Sequence, residues 1–133
     1  TAMHWANDLR AIKTSPPFVS HALTANPTVL TCIGNDEGYE QLFASQLDGR
    51  VQPNDLLVLI SASGHSPNII RAAHIAHQAN MRVVALVGFD GGELADLADL
   101  SICVTSPKGD YGVVEDAHLA IAHMVSNFMR LAA

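Results

Sequence analysis

Short, unbroken apolar runs alternate along this chain with longer segments whose apolar positions recur at three- and four-residue spacing. The clearest run is residues 56–60, Leu-Leu-Val-Leu-Ile, too short for an isolated helix and continuous enough for a strand buried on both faces. Residues 82–87 form a β-branched run stopped by Gly88, and residues 101–105 form another, followed by Pro107 and Gly109. Residues 28–33 read as one more short strand, closed by the loop Gly34-Asn35-Asp36-Glu37-Gly38. Helices are predicted over residues 1–13, 39–47, 67–76, 93–98 and from 114 to the C-terminus. In the first, Trp5, Leu9 and Ile12 line one side, and Thr14-Ser15-Pro16-Pro17 ends it. The main apolar face of the last holds Val114, Ala117, Ile121, Val125 and Phe128. Strands alternating with helices predict an α/β fold, a three-layer α/β/α sandwich around a doubly wound, flavodoxin-like parallel sheet. Ligands of such sheets sit at the carboxyl ends of the strands. That rule places the Asn35-Asp36 loop, the loop after residue 60 and the 88–92 loop on one rim.

The loop after residue 60 reads Ser61-Ala62-Ser63-Gly64-His65-Ser66 and leads into Pro67, an expected first helical residue with Ser66 as its N-cap. Strand, short hydroxyl-rich loop and helix N-terminus together present free amides and the positive end of a helix dipole to an anion. Loop chemistry alone supports a plain capped turn equally well. The chain has no Gly-x-x-x-x-Gly-Lys run, no Gly-x-Gly-x-x-Gly after a strand and no Gly-x-Ser-x-Gly elbow, so a small-molecule phosphate suits this loop better than a nucleotide.

Composition narrows the classes further. At 133 residues and 49% hydrophobic content the chain is expected to form one domain with a sizeable core. Seven basic against 13 acidic residues, net charge -6, argue against nucleic acid or an anionic membrane as partner. Charged residues make up only 15%, which points to further surface covered in an oligomer. Cys32 and Cys103 lie in apolar runs and are expected as buried thiols. No apolar stretch reaches membrane-spanning length and no signal peptide is visible, so the expectation is a cytoplasmic protein.

Among titratable residues, His4 and Asp8 share one predicted helix face, while Glu115, His118 and His123 lie on the last helix. These types at these spacings suit a metal or acid–base constellation, but with seven histidines in the chain they suit ordinary surface pairs better. His74 and His77 are expected on an exposed face. His21 and His65 fall in loops, and Asp36 reads equally as a helix cap or a functional carboxylate.

The stretch from Asp55 to Ile70, with its Ser-Ala-Ser-Gly-His-Ser-Pro-Asn centre, resembles the signature of the sugar isomerase (SIS) domain, in its phosphoheptose isomerase branch. The stretches Met3-His4-Trp5-Ala6-Asn7-Asp8-Leu9, Ile33-Gly34-Asn35-Asp36-Glu37-Gly38-Tyr39, Gly88-Phe89-Asp90-Gly91-Gly92 and Val114-Glu115-Asp116-Ala117-His118 support it in the family's order. The resemblance implies a phosphate loop at Ser61, Ala62, Ser63 and Ser66, and sugar contacts from Asn35, Asp36 and Glu115. It also implies metal or acid–base positions at His4, Asp8, Glu115 and His123. Many members have Glu in place of Asp8 and Gln in place of Glu115. Asp shortens the reach by one methylene, and Glu adds a charge that favours a cation. The family's N-terminal helix, first strand and Gly-rich loop, which precede the segment matching residues 1–9, have no counterpart here, so a single SIS domain over residues 1–133 without that section is expected.

By this resemblance the chain is an aldose–ketose isomerase interconverting sedoheptulose 7-phosphate and a glycero-manno-heptose 7-phosphate through an enediol. Asp8 and His123 would be its acid–base pair, assisted by Glu115. Zinc is the implied metal, one per site on His4, Asp8, Glu115 and His123, and no nucleotide cofactor is implied. The partners implied are the sugar phosphate and further copies of the chain in a homotetramer with sites between subunits. The alternative is a non-catalytic SIS module that binds a sugar phosphate or a protein such as a replication initiator.

Overall fold

Alternation along the strands decides which side of the sheet each residue serves. The computed structural model describes all residues 1–133, with a three-stranded parallel sheet, β1 (Leu56–Ser61), β2 (Arg82–Gly88) and β3 (Leu100–Val104), in that spatial order. The β1–β2 register pairs Leu57 with Val83, Leu59 with Ala85 and Ser61 with Val87. Odd-numbered residues of this pair therefore point to one face, even-numbered ones to the other. The odd face packs against α4 (Pro67–Gln78) and α5 (Gly92–Leu97) in the main core: Leu57, Leu59, Val83, Ala85 and Val87 meet Ala72, Ala73, Ala76 and Leu94. Three alanines on one stripe of α4 let that helix lie close to the sheet.

The even face is covered by α1 (Ala2–Arg10) and α6 (Tyr111–Ala132). Trp5, Leu86 and Ala122 form its buried centre, flanked by Leu9, Val58, Ile60, Ile121 and Val125. Helices on both sides of a parallel sheet make the predicted three-layer architecture. Gly88 ends β2 where α6 crosses it, and a Cβ there would run into the Val114 side chain. His118, buried inside α6, lies with Nε2 3.0 Å from the Val87 carbonyl oxygen. A carbonyl only accepts, so this nitrogen carries the proton and donates it.

Several elements differ from expectation. Residues 28–33 are not a strand: they lie in α2 (Pro27–Asp36). The Asn26 side chain accepts hydrogen bonds from the Thr28 and Val29 amides, and Pro27 occupies the first turn, a start signal that outweighs the β-branched content. Gly34, Asn35 and Asp36 consequently lie in the last turn of a helix instead of a strand-end loop. The helix expected over 39–47 divides into a short 3-10 turn, Tyr39–Gln41, and α3 (Ala44–Leu47). The side of α6 that is buried holds Val114, His118, Ala122 and Ser126, so the packed stripe is rotated from the apolar one and contains two polar residues. Phe128, expected on the packed side, is exposed. Both cysteines are exposed, because Cys32 lies on the outer side of α2 and β3 is an edge strand with little cover. Asp36 beside Cys32 raises its thiol pKa, mainly through a hydrogen bond. No helix is long and apolar enough to cross a membrane.

Candidate functional site

Packing of α1 on α6 brings together residues from opposite ends of the chain. Trp5 and Leu9 pack on Ala122, Ile121 and Val125, which turns His4 and Asp8 toward His123. His4 Nε2 and His123 Nε2 lie 3.0 Å apart, with ring centroids at 4.9 Å and planes at 70°. At that distance one nitrogen carries the proton and the other accepts it. Asp8 Oδ2 lies 3.5 Å from His4 Nε2, and Asp8 Oδ1 lies 3.6 Å from Arg130 Nη2. Asp8 is largely shielded, while the His4 side chain is more than half exposed, so the cluster opens to solvent on the histidine side.

One ligand atom from each of His4, Asp8 and His123 lies within 4.8 Å of the other two. Two imidazole nitrogens and a carboxylate are borderline-soft and hard donors suited to zinc. A tetrahedral zinc with bonds of about 2.0–2.1 Å requires nitrogens about 3.3 Å apart, close to the observed spacing. The donor set therefore fits the metal. Glu115 is not in this group. It is exposed on α6 two turns before His123, about 12 Å away along the axis by helical rise.

The serine loop forms a second feature, at the carboxyl end of β1. The Gly64 amide donates to Ser61 Oγ at 3.2 Å, and the His65 amide donates to Ser63 Oγ at 3.4 Å. Ser61, Ala62, Ser63 and Ser66 are all half-buried. Ser66 occupies the N-cap of α4, yet its hydroxyl makes no capping bond and stays available. Gly64 has φ +64°, and a Cβ there would collide with the Gly91 carbonyl, so this position admits only glycine. The Leu94 amide donates to the Gly64 carbonyl at 3.0 Å, tying the serine loop to the 91–92 turn.

Asn35 and Asp36 are exposed and engage one another, with the Asn35 amide donating to Asp36 Oδ1 at 2.6 Å. His118 shares the helix of the cluster but points into the core. His77, on the exposed side of α4, reaches the Leu97 carbonyl at 2.9 Å and ties α4 to the end of α5. Arg130 was not expected from sequence. It follows His123 by seven residues, two helical turns, and that spacing is the signal that places both on one side.

The sequence model of the SIS domain matches residues 2–88. The chain belongs to the SIS domain family. It is 40% identical over 110 residues to a phosphoheptose isomerase of Akkermansia muciniphila, covering 83% of this chain and 57% of that protein. It is 39% identical over 127 residues to a phosphoheptose isomerase of Mycobacterium tuberculosis, covering 94% of this chain and 64% of that protein. The chain thus spans about three fifths of these curated relatives. Its fold is similar to the solved phosphoheptose isomerases of Neisseria gonorrhoeae, TM-score 0.87 at 32% identity, and Francisella tularensis, TM-score 0.88 at 30% identity. The alignments cover 96% and 98% of this chain, and 68% and 70% of those structures.

Proposed function

We propose that the protein is a phosphosugar isomerase that interconverts sedoheptulose 7-phosphate and a glycero-manno-heptose 7-phosphate. The observation that carries this reading is the His4–Asp8–His123 cluster, which joins residues 119 positions apart in the chain. A module that only binds a sugar phosphate has no use for two facing imidazoles and a carboxylate. The names of the relatives support the same substrate.

The reaction moves one hydrogen between neighbouring carbons. Going from ketose to aldose, a base removes a proton from C1 while an acid protonates the C2 oxygen, giving an enediol. The proton is then delivered to C2, and the C1 hydroxyl gives up its proton to become the aldehyde oxygen. Asp8 and His123 serve as the acid–base pair, and the shared hydrogen bond between His4 and His123 holds a proton ready at Nε2. His4, Asp8 and His123 would also hold a zinc ion, which when bound supplies polarisation of the carbonyl. The Ser61, Ser63 and Ser66 hydroxyls, beside Ala62, bind the phosphate, while Asn35 and Asp36 contact the sugar hydroxyls. The protein acts in the cytoplasm.

Assembly belongs to the same proposal. Val113, Met124, Phe128 and Leu131 are 51, 61, 72 and 90% exposed along α6, an uncovered apolar stripe on a helix whose other side already packs on the sheet. Further copies of the chain cover it in a homotetramer, and Glu115 then reaches the cluster of a neighbouring subunit, since it does not meet its own. The direct test incubates the intact protein with sedoheptulose 7-phosphate, with and without zinc, and follows aldose formation. Turnover that disappears in His123→Ala is expected, and no turnover under either condition would sink the reading.

A further inference from the structure

Both oxygens of Asp8 are engaged, one by His4 and the other by a cation of the chain itself. Arg130 is an exposed side chain, 45% accessible, that meets Asp8 at the edge of the cluster. Its Nη1 donates to Asn127 Oδ1 at 3.1 Å, one turn back on α6, while its Nη2 faces Asp8 Oδ1 at 3.6 Å. Lys13 and Arg130 line one shallow depression of about 340 Å³ together with Ala11, Ile12 and Ala133. The shielded carboxylate of the cluster therefore has a positive neighbour at the oxygen that does not face His4.

We propose that Arg130 is a built-in counter-cation that shares Asp8 with the metal position and weakens the hold of His4, Asp8 and His123 on a divalent ion. The inference rests on the metal reading of that cluster. A divalent ion beside Asp8 is repelled by the guanidinium and finds the carboxylate's charge already partly neutralised. Arg130 acts through Asp8 and is a positioning residue, tuning how readily the ion enters and leaves. Arginine suits this role because its planar fork donates to Asn127 through one nitrogen while the other faces Asp8.

The test uses intact protein stripped with a chelator and titrated with Zn2+ by calorimetry, and with Co2+ by visible absorption. Arg130→Gln is expected to bind both ions more tightly, on the order of tenfold. Arg130→Lys should stay near the wild type, and Asn127→Ala, which frees the guanidinium, should shift affinity the same way by less. Raising the salt should narrow the gap between wild type and Arg130→Gln, because screening weakens a charge effect and leaves a packing effect in place. Unchanged or weaker binding by Arg130→Gln, with His123-dependent binding still present in the wild type, overturns the role of Arg130 alone. If neither protein shows binding that His123→Ala removes, the metal reading fails and this inference falls with it.

Discussion

Ser61 and Ser63 each accept a hydrogen bond from an amide of their own loop, which leaves both hydroxyl protons free to donate outward. The loop amides preset the two oxygens, so little ordering is left for the ligand to impose. Replacing both with Ala should weaken binding of a sugar phosphate by about 1.5–3 kcal/mol for each bond lost to a charged group. Calorimetric titration measures the loss, and unchanged affinity would refute the cradle. His118 makes the contrasting case of a polar side chain used for structure. It is 1% exposed and donates to the Val87 carbonyl. His118→Ala leaves a cavity and removes a donor from a buried carbonyl, at a cost of about 2–4 kcal/mol. Urea unfolding should show that cost, whereas a surface histidine at this position would show almost none.

At the scale of elements, Asp99 clamps the turn between α5 and β3 to the start of β2. Its Oδ2 accepts from the Val83 amide at 2.8 Å, its Oδ1 pairs with Arg82 Nη1 at 3.0 Å, and its own amide donates to the Val83 carbonyl. The bond from the Val83 amide, reinforced by Arg82, holds the Asp99 carboxyl below its ordinary pKa of 3.8. A carboxylate whose folded pKa is depressed stabilises the fold above the unfolded value, and that contribution is lost as pH falls through the folded value. Asp99→Asn should therefore be less stable than wild type at neutral pH, with the difference closing below about pH 4. Thermal unfolding across pH 3–7 checks it, and a gap that persists undiminished at the acid end would remove the charge explanation.

For the whole molecule, α6 works on two sides. Its inner stripe seats the sheet and carries His118; its outer stripe, with Met124, Phe128 and Leu131, is bare. A bare stripe of large apolar residues on a chain with so few charges calls for a partner surface. Light scattering at micromolar concentration should find an oligomer, and Met124→Glu with Phe128→Glu should dissociate it and reduce activity together. A monomer that keeps full activity would rule out sites completed between subunits.

How much of this was readable in advance depends on the range of the forces involved. Pro67 after Ser66, the apolar runs of β1 and β2 and the hydroxyl-rich loop between β1 and α4 are local signals, so strand, loop and helix start were legible residue by residue. The helix Pro27–Asp36 was misread because β-branched residues resemble a strand, although the Asn26-Pro27 start signal was also local and would have corrected it. No local signal told which stripe of α6 packs inward, because that follows from the close approach at Gly88 and the carbonyl that His118 finds at Val87. The same holds for Arg130 against Asp8, and for the separation of Glu115 from the cluster. Sequence by itself determined which residue types the chain carries and the periodicity that makes its elements. Tertiary structure alone decided which of those residues meet, because a 3.0 Å contact between His4 and His123 depends on how two helices cross one sheet.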